Sequence, residues 1–191
     1  MKESDKRGDI IQASLDLIVE HGFHGAPMSM IAKKAGVGAG TIYRYFENKD
    51  VLITELHREL EEQLVATCTE GYSKEKPIRE RFIFCGITLL RYFVAHPITF
   101  RFIEQYYNSP YGVAARRNKS SYKSSARTIF NDLFEQAKAE QIIKDLPLFV
   151  HAALVVGPIV SLVRDHILGV VELDDAIIME SIEAIWDGIK R

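Results

Sequence analysis

The 191-residue sequence predicts an all-α protein, a three-helix N-terminal unit followed by a larger helical body, about nine helices in all. Three observations predict it. Apolar residues recur at three- and four-residue spacing, as in Leu52, Leu56, Leu60 and Leu64 and again in Ile178, Ile182, Ile185 and Ile189. Between such runs stand cap and breaker residues, among them Asn48, Pro77, Pro97, Pro110 and Asp174. Residues 32–49 read Ala-Lys-Lys-Ala-Gly-Val-Gly-Ala-Gly-Thr-Ile-Tyr-Arg-Tyr-Phe-Glu-Asn-Lys, two short helices meeting across a tight turn.

That motif needs a small residue where the backbones touch, a residue tolerant of positive φ in the turn, and an apolar anchor on the second helix. Ala32, Gly36 and Ile42 supply these in order. Lys33, Lys34, Thr41, Tyr43, Arg44 and Tyr45 fall on the outer side, which therefore carries hydroxyls and cations and no carboxylate. Phosphate oxygens are acceptors, so a donor-rich face of this shape fits DNA. Asn48 is a good N-cap for the next helix, which opens on Lys49. A cation there meets the positive end of the helix dipole at a cost of about 0.3–1 kcal/mol, and a bound phosphate would reverse that sign. The competing reading is an αα-hairpin inside some other helical protein.

From Arg7 to Leu52 the chain resembles the N-terminal DNA-binding region of the TetR/AcrR family of bacterial transcriptional regulators. The blocks that carry the resemblance are Ile10-Ile11-Gln-Ala13-Ser-Leu15-Asp-Leu17-Ile18 closed by His21-Gly22-Phe23, then Ile31-Ala32, then Ala35-Gly36-Val37, and Gly40-Thr41-Ile42-Tyr43-Arg44-Tyr45-Phe46 with Lys49 and Leu52. The resemblance implies a dimer whose second and third helices form the motif, and a variable C-terminal domain that binds a small molecule and releases DNA. One departure stands out. Where the family places a threonine or serine at the start of the second helix, this chain has Ala26-Pro27-Met28-Ser29, with Pro27 suited to the first helical position and Ser29 left to take over the phosphate contact.

Net charge is −2, which by itself does not favour nucleic acid. Residues 1–50 hold seven Lys/Arg against seven Asp/Glu and residues 51–191 hold 17 against 19, so affinity for DNA has to come from placement. Cys68 and Cys85 lie in apolar helical surroundings and read as buried thiols in a reducing compartment, a disulfide between them being the alternative. The N-terminus is polar and no apolar run approaches bilayer length, so the expected location is cytoplasmic, without a membrane partner. The six histidines show no ligand spacing, and no nucleophile elbow or phosphate-cradling loop is present. The expectation is no metal, no cofactor and no enzyme.

A fourth helix is predicted from Lys49 to about Gly71, broken by Ser73 to Pro77; a fifth to Ala95, stopped before His96-Pro97; a short sixth with Phe100, Phe102, Ile103, Tyr106 and Tyr107; and a seventh from Ser109-Pro110 towards Gln141. The eighth, about Leu148 to Leu168, carries Ala153, Gly157 and Ser161 as a small-residue stripe and Pro158 as an expected kink. The ninth follows Asp174 and bears the isoleucine stripe with Trp186. Ala153, Gly157, Ser161, Ile182, Ile185 and Trp186 are the expected dimer interface.

Among the aromatic residues, Phe82, Tyr92, Phe100, Tyr106, Phe130 and Phe134 are the candidate ligand lining, against the plainer reading that they are core. Arg91, Arg101 or His96 would orient an anionic ligand unless simply solvated, and Arg116, Arg117, Lys119, Lys123 and Arg127 read as an exposed face. The domains expected are 1–50 for DNA and 51–191 for ligand and dimerisation. In the major groove, Thr41, Tyr43, Tyr45 and Lys49 contact phosphates. Gly38, Ala39 and Gly40 let the helix approach base edges, read by Arg44 and Ser29. The function expected is a homodimeric regulator, a repressor released from a roughly palindromic operator by a small molecule. The alternatives are a protein of the same fold with no small-molecule inducer, and a small helical binding protein or enzyme.

Overall fold

The computed structural model describes residues 5–117 and 125–191. Ten helices lie among them: α1 (Lys6–Gly25), α2 (Met28–Lys34), α3 (Ala39–Tyr45), α4 (Lys49–Thr69), α5 (Ile78–Ala95), α6 (Pro97–Tyr107), α7 (Pro110–Arg117), α8 (Ser125–Ala139), α9 (Leu148–Ile167) and α10 (Asp175–Ile189). The expected boundaries at Asn48, Ser73 to Pro77, His96-Pro97 and Asp174 are all present. Asn48 Oδ1 accepts the Val51 N–H at 2.9 Å and Asp174 Oδ1 the Ile177 N–H at 2.8 Å, so both cap as read.

The chain divides into two compact units, one of residues 1–61 with 98–122, the other of residues 62–97 with 123–191. The expected boundary at residue 50 therefore falls inside the first unit. Helices α6 and α7, placed by the sequence reading in the C-terminal domain, return to the N-terminal one because their apolar faces bury there. Phe102 and Tyr106 join Ile10, Ile18, Ile31, Ile42, Phe46, Leu52 and Leu56 in one core. Polar ties fix the same packing. Gln105 donates to the Val19 carbonyl at 3.2 Å, Tyr107 to Glu61 at 2.9 Å and Tyr111 to Asp50 at 2.6 Å. Burial and that bond to Asp50 together push the Tyr111 hydroxyl up to about 12. Arg7 braces α1 against α4, bonding Glu55 at 3.2 Å and pairing with Glu59, with its guanidinium 5.4 Å from the centre of the Phe46 ring.

In the second unit α5 is central, packed by α8, α9 and α10. Gly86 makes room there for the Ile182 side chain: a Cβ on it would lie 2.7 Å from Cγ2 of Ile182, which packs on the backbone of α5. Phe82 meets Trp186 at 5.1 Å and Phe134 at 6.3 Å. Cys68 and Cys85 are free, buried thiols, pushed up by burial to about 11 and about 12 and so held protonated at neutral pH. Helix α8 closes with Gln141 in the left-handed region (φ 57), its N–H on the Lys138 carbonyl and that of Ile142 on Ala137, both at 2.9 Å. Helix α9 runs undivided through Pro158. By length and composition it could cross a bilayer, which corrects the expectation that no apolar run approaches that length.

Candidate DNA-reading surface

The three positions that define the motif behave as the sequence requires. Ala32 and Ile42 are buried, and Gly36 has φ +66. Gly36 donates to the Lys33 carbonyl at 3.2 Å and Val37 to Ala32 at 2.9 Å, the paired bonds that end a helix on a left-handed residue. Gly38 opens α3 with an extended backbone (φ −71, ψ 154), and its carbonyl accepts from Thr41 at 2.9 Å and Ile42 at 3.2 Å. Pro27 differs from expectation. It is the cap of α2 rather than its first helical residue, with its carbonyl accepting from Met30 and Ile31, because its extended ψ of 154 lies outside the helix. Ser29 thus sits in the first turn of α2, exposed with Met30 and Lys33.

On α3, Gly38, Ala39, Gly40, Tyr43, Arg44 and Tyr45 are exposed and Thr41 is half-buried. Tyr43 leaves 55% of its surface in water, a large apolar ring with no use inside the subunit. The Arg44 guanidinium rests 5.4 Å from the centre of the Tyr45 ring, which holds both outward. A Cβ on Gly40 would meet nothing within 4 Å, so the small residue there is not demanded by the protein's own packing.

Two cations behave differently from the sequence reading. Lys34 is tied to Asp16 of α1 at 3.0 Å rather than left for DNA. The Lys49 ammonium donates to the Phe23 carbonyl at the end of α1, where Gly22 (φ 73) breaks the helix and exposes its negative pole. That carbonyl offsets the unfavourable position at the start of α4 without needing a phosphate. Partial burial still draws the Lys49 pKa below its usual value, against the opposing pull of Asp50. An ammonium has three N–H groups, so the bond to Phe23 leaves donors for an anion.

The six aromatic candidates for ligand lining do not form one set. Tyr106 stacks on His57 at 3.7 Å within the first unit, and Phe100 also lies on α6 of that unit. Phe82, Tyr92 and Phe134 are buried in the second unit, where Phe130, half-buried, stacks on Phe134 at 6.5 Å. Arg91 pairs with Asp175 at 2.7 Å and His96 stacks on Tyr92 at 4.3 Å, so both have structural partners. Lys119, Lys123 and the side chain of Arg127 lie outside the described residues; Arg116 and Arg117 are exposed.

The dimer candidates divide in the same way. Ala153, Gly157 and Ser161 are exposed on α9, and a Cβ on Gly157 would meet nothing within 4 Å. Ile182 (0% exposed) and Trp186 (4%) face α5 of their own subunit and have no surface to give a partner; Ile185 is half-buried. Sequence reasoning missed the exposed large apolar residues Leu154 and Val156 of α9 and Ile177 and Met179 of α10. It also missed two polar groups inside the second unit. Arg81 is buried, and fully buried His151 stacks on Phe134 at 5.5 Å with neither ring nitrogen in a normal hydrogen bond.

Residues 10–56 match the family model for bacterial regulatory proteins of the tetR family, and residues 77–190 match one described as tetracyclin repressor-like, C-terminal domain. An uncharacterized HTH-type transcriptional regulator of Haemophilus influenzae is 25% identical over 193 residues, covering 99% of this chain and 98% of that protein. A fatty acid metabolism regulator protein of Bacillus subtilis is 38% identical over 72 residues, 38% of this chain and only 37% of that protein's length. The solved structure of a transcriptional regulator TetR family protein from Vibrio parahaemolyticus is 32% identical, with a TM-score of 0.78 over 98% of this chain and 100% of that one.

Proposed function

The chain belongs to the TetR family of bacterial transcriptional regulators, and from that premise we propose how its own residues carry out regulation. It is a DNA-binding regulator and not an enzyme, and repression is the role typical of its family. In this reading α3 enters the major groove of a roughly palindromic operator. Thr41, Tyr43, Tyr45 and Lys49 hold phosphates; Arg44 and Ser29 reach base edges; Gly38, Ala39 and Gly40 let the backbone come close. The observation that carries it is the outer face of α3, exposed, rich in donors and free of carboxylates.

A second copy of the chain covers α9 over Ala153, Gly157 and Ser161, with Leu154, Val156, Ile177 and Met179 around them. Those four are large apolar side chains left exposed on the subunit, as at a surface that a partner covers. The second unit takes a small molecule beside Phe82, Tyr92, Phe130 and Phe134. The Bacillus subtilis relative's name concerns fatty acid metabolism, but the shared length is too short to bring that pathway across.

Footprinting with the full-length protein on DNA flanking its own coding region tests the reading. Two protected half-sites are expected, separated by a whole number of helical turns of about 34–36 Å. Binding that is no tighter there than to unrelated DNA would overturn it. Native mass spectrometry of the protein as purified identifies a retained small molecule. Any such inducer must bind more weakly with operator present, by the same factor by which it weakens operator binding. Equal ligand affinity in both states removes that compound as an inducer and favours control without a small molecule.

A further inference from the structure

We propose that Arg81 anchors the head group of an anionic effector, an oxyanion carried on an apolar body that lies against the aromatic cluster of the second unit. This deepens the proposed ligand site and rests on it. Helix α5 carries three arginines between residues 79 and 91. Arg79 pairs with Glu183 at 3.0 Å and Arg91 with Asp175 at 2.7 Å, and both pairs are exposed, where an ion pair contributes little. Arg81 is only 3% exposed, where an unpaired charge costs most, and no carboxylate among the described residues pairs with it.

Its hydrogen bonds run to neutral acceptors. Nε and Nη2 donate to the Tyr72 hydroxyl at 3.0 and 2.8 Å, and Nη1 donates to Oε1 of Gln136 at 2.7 Å. Among the described residues these occupy three of the five N–H groups of a guanidinium and leave two, the number a bidentate oxyanion takes. Position 136 is the natural place for a neutralising carboxylate, yet it is an amide, whose own NH2 donates to Glu140 at 2.8 Å. The Glu140 carboxylate thus reaches the amide of Gln136 and not the cation.

Buried apolar side chains follow directly along the chain. Phe82, next to Arg81, lies 5.1 Å from Trp186 and 6.3 Å from Phe134, and Phe134 in turn stacks on His151. The buried ring of His151 adds a second polar group to the same cluster. A cation without a counter-charge at one edge of an aromatic cluster selects an amphipathic anion over a neutral molecule of the same shape.

Binding of decanoate, decyl phosphate and decanol to the full-length protein, measured by titration calorimetry, tests this. The two anions should bind about tenfold or more tighter than decanol, since a hydrogen bond to a charged group adds about 1.5–3 kcal/mol. Which anion is preferred tells a carboxylate site from a phosphate site. Gln136→Glu is the decisive variant, because it leaves Arg81 in place and sets the protein's own carboxylate against it, cancelling the charge that an anion would answer. It should raise the melting temperature and erase the preference for anions while leaving decanol binding unchanged. Decanol binding as tightly as the anions, or a preference that survives in folded Gln136→Glu, overturns the assignment and leaves the ligand site standing. If none of the three binds, the aromatic ligand site fails with it.

Discussion

Helices α3 and α9 each present an exposed face built around a glycine, and the two faces differ in everything else. Around Gly40 stand hydroxyls and a guanidinium; around Gly157 stand Ala153, Leu154, Val156 and Ser161. At neither glycine would a Cβ touch the protein's own atoms. Gly86 is the contrast, its space already filled by Ile182, so that residue serves packing within the subunit. At a glycine with open space in front of it and an ordinary φ, packing within the subunit does not demand the small residue. In the reading proposed above, phosphate and base edges face the donors around Gly40, and another helix faces the methyl groups around Gly157.

The sharpest way to break the comparison is Gly40→Leu. The variant should fold and melt like the parent, because its side chain enters solvent, yet lose operator binding by about a hundredfold or more, as the helix can no longer seat in the groove. Near-normal binding in a gel shift would show that this turn faces away from DNA. Gly157→Leu comes next. Overpacking a tight contact costs about 1–3 kcal/mol, and a two-fold interface contains the site twice. Sedimentation should show dissociation at concentrations where the parent is a dimer, and operator affinity should fall with it. A variant that stays dimeric places the interface elsewhere.

Lys49→Ala has a smaller expected effect. If the donors left over from the Phe23 bond hold a phosphate, the slope of log affinity against log salt falls by about one unit for specific and non-specific DNA alike. An unchanged slope with a lowered melting temperature would make Lys49 purely a clamp between α1 and α4. The smallest effect concerns Glu55, whose carboxyl is held below its usual range first by the hydrogen bond from Arg58 and further by Arg7. A depressed carboxylate stabilises the fold at neutral pH, and that contribution is lost as pH falls through its folded pKa, below the ordinary value of 4.5. Because the group is about a third exposed, Glu55→Gln should cost less than about 1 kcal/mol at pH 7 and flatten the acid limb of the stability curve, as followed by urea unfolding.

What could be read from the sequence was what is local. Gly36, Asn48 and Asp174 act on the three or four residues that follow or precede them, and each does what its chemistry required. The outer face of α3 was legible for the same reason. Partner choice was not. An isoleucine stripe looks the same whether it packs on its own subunit or on another, and only Gly86 pressed against Ile182 reveals that the α10 stripe faces inward. The aromatic residues of α6 likewise advertise burial and not its location, which is why Tyr106 was expected at a ligand and stacks on His57 instead. The bond from Lys49 to Phe23 spans 26 residues and has no sequence signal.

The return of α6 and α7 to the first unit has a consequence for how the protein is made. Helices α1 to α3 leave the ribosome before α5, but Phe102 and Tyr106 of their core and Tyr111 of their brace are synthesised only after it. Residues 1–61 therefore emerge with an apolar surface that their own sequence cannot cover, and the head waits for a segment some 40 residues downstream before its core can close. Its packing is non-local by construction. Cutting at residue 50 removes the Phe102, Tyr106 and Tyr111 contacts, so a graft of the reading head should need α6 and α7 to keep the stability of the parent unit.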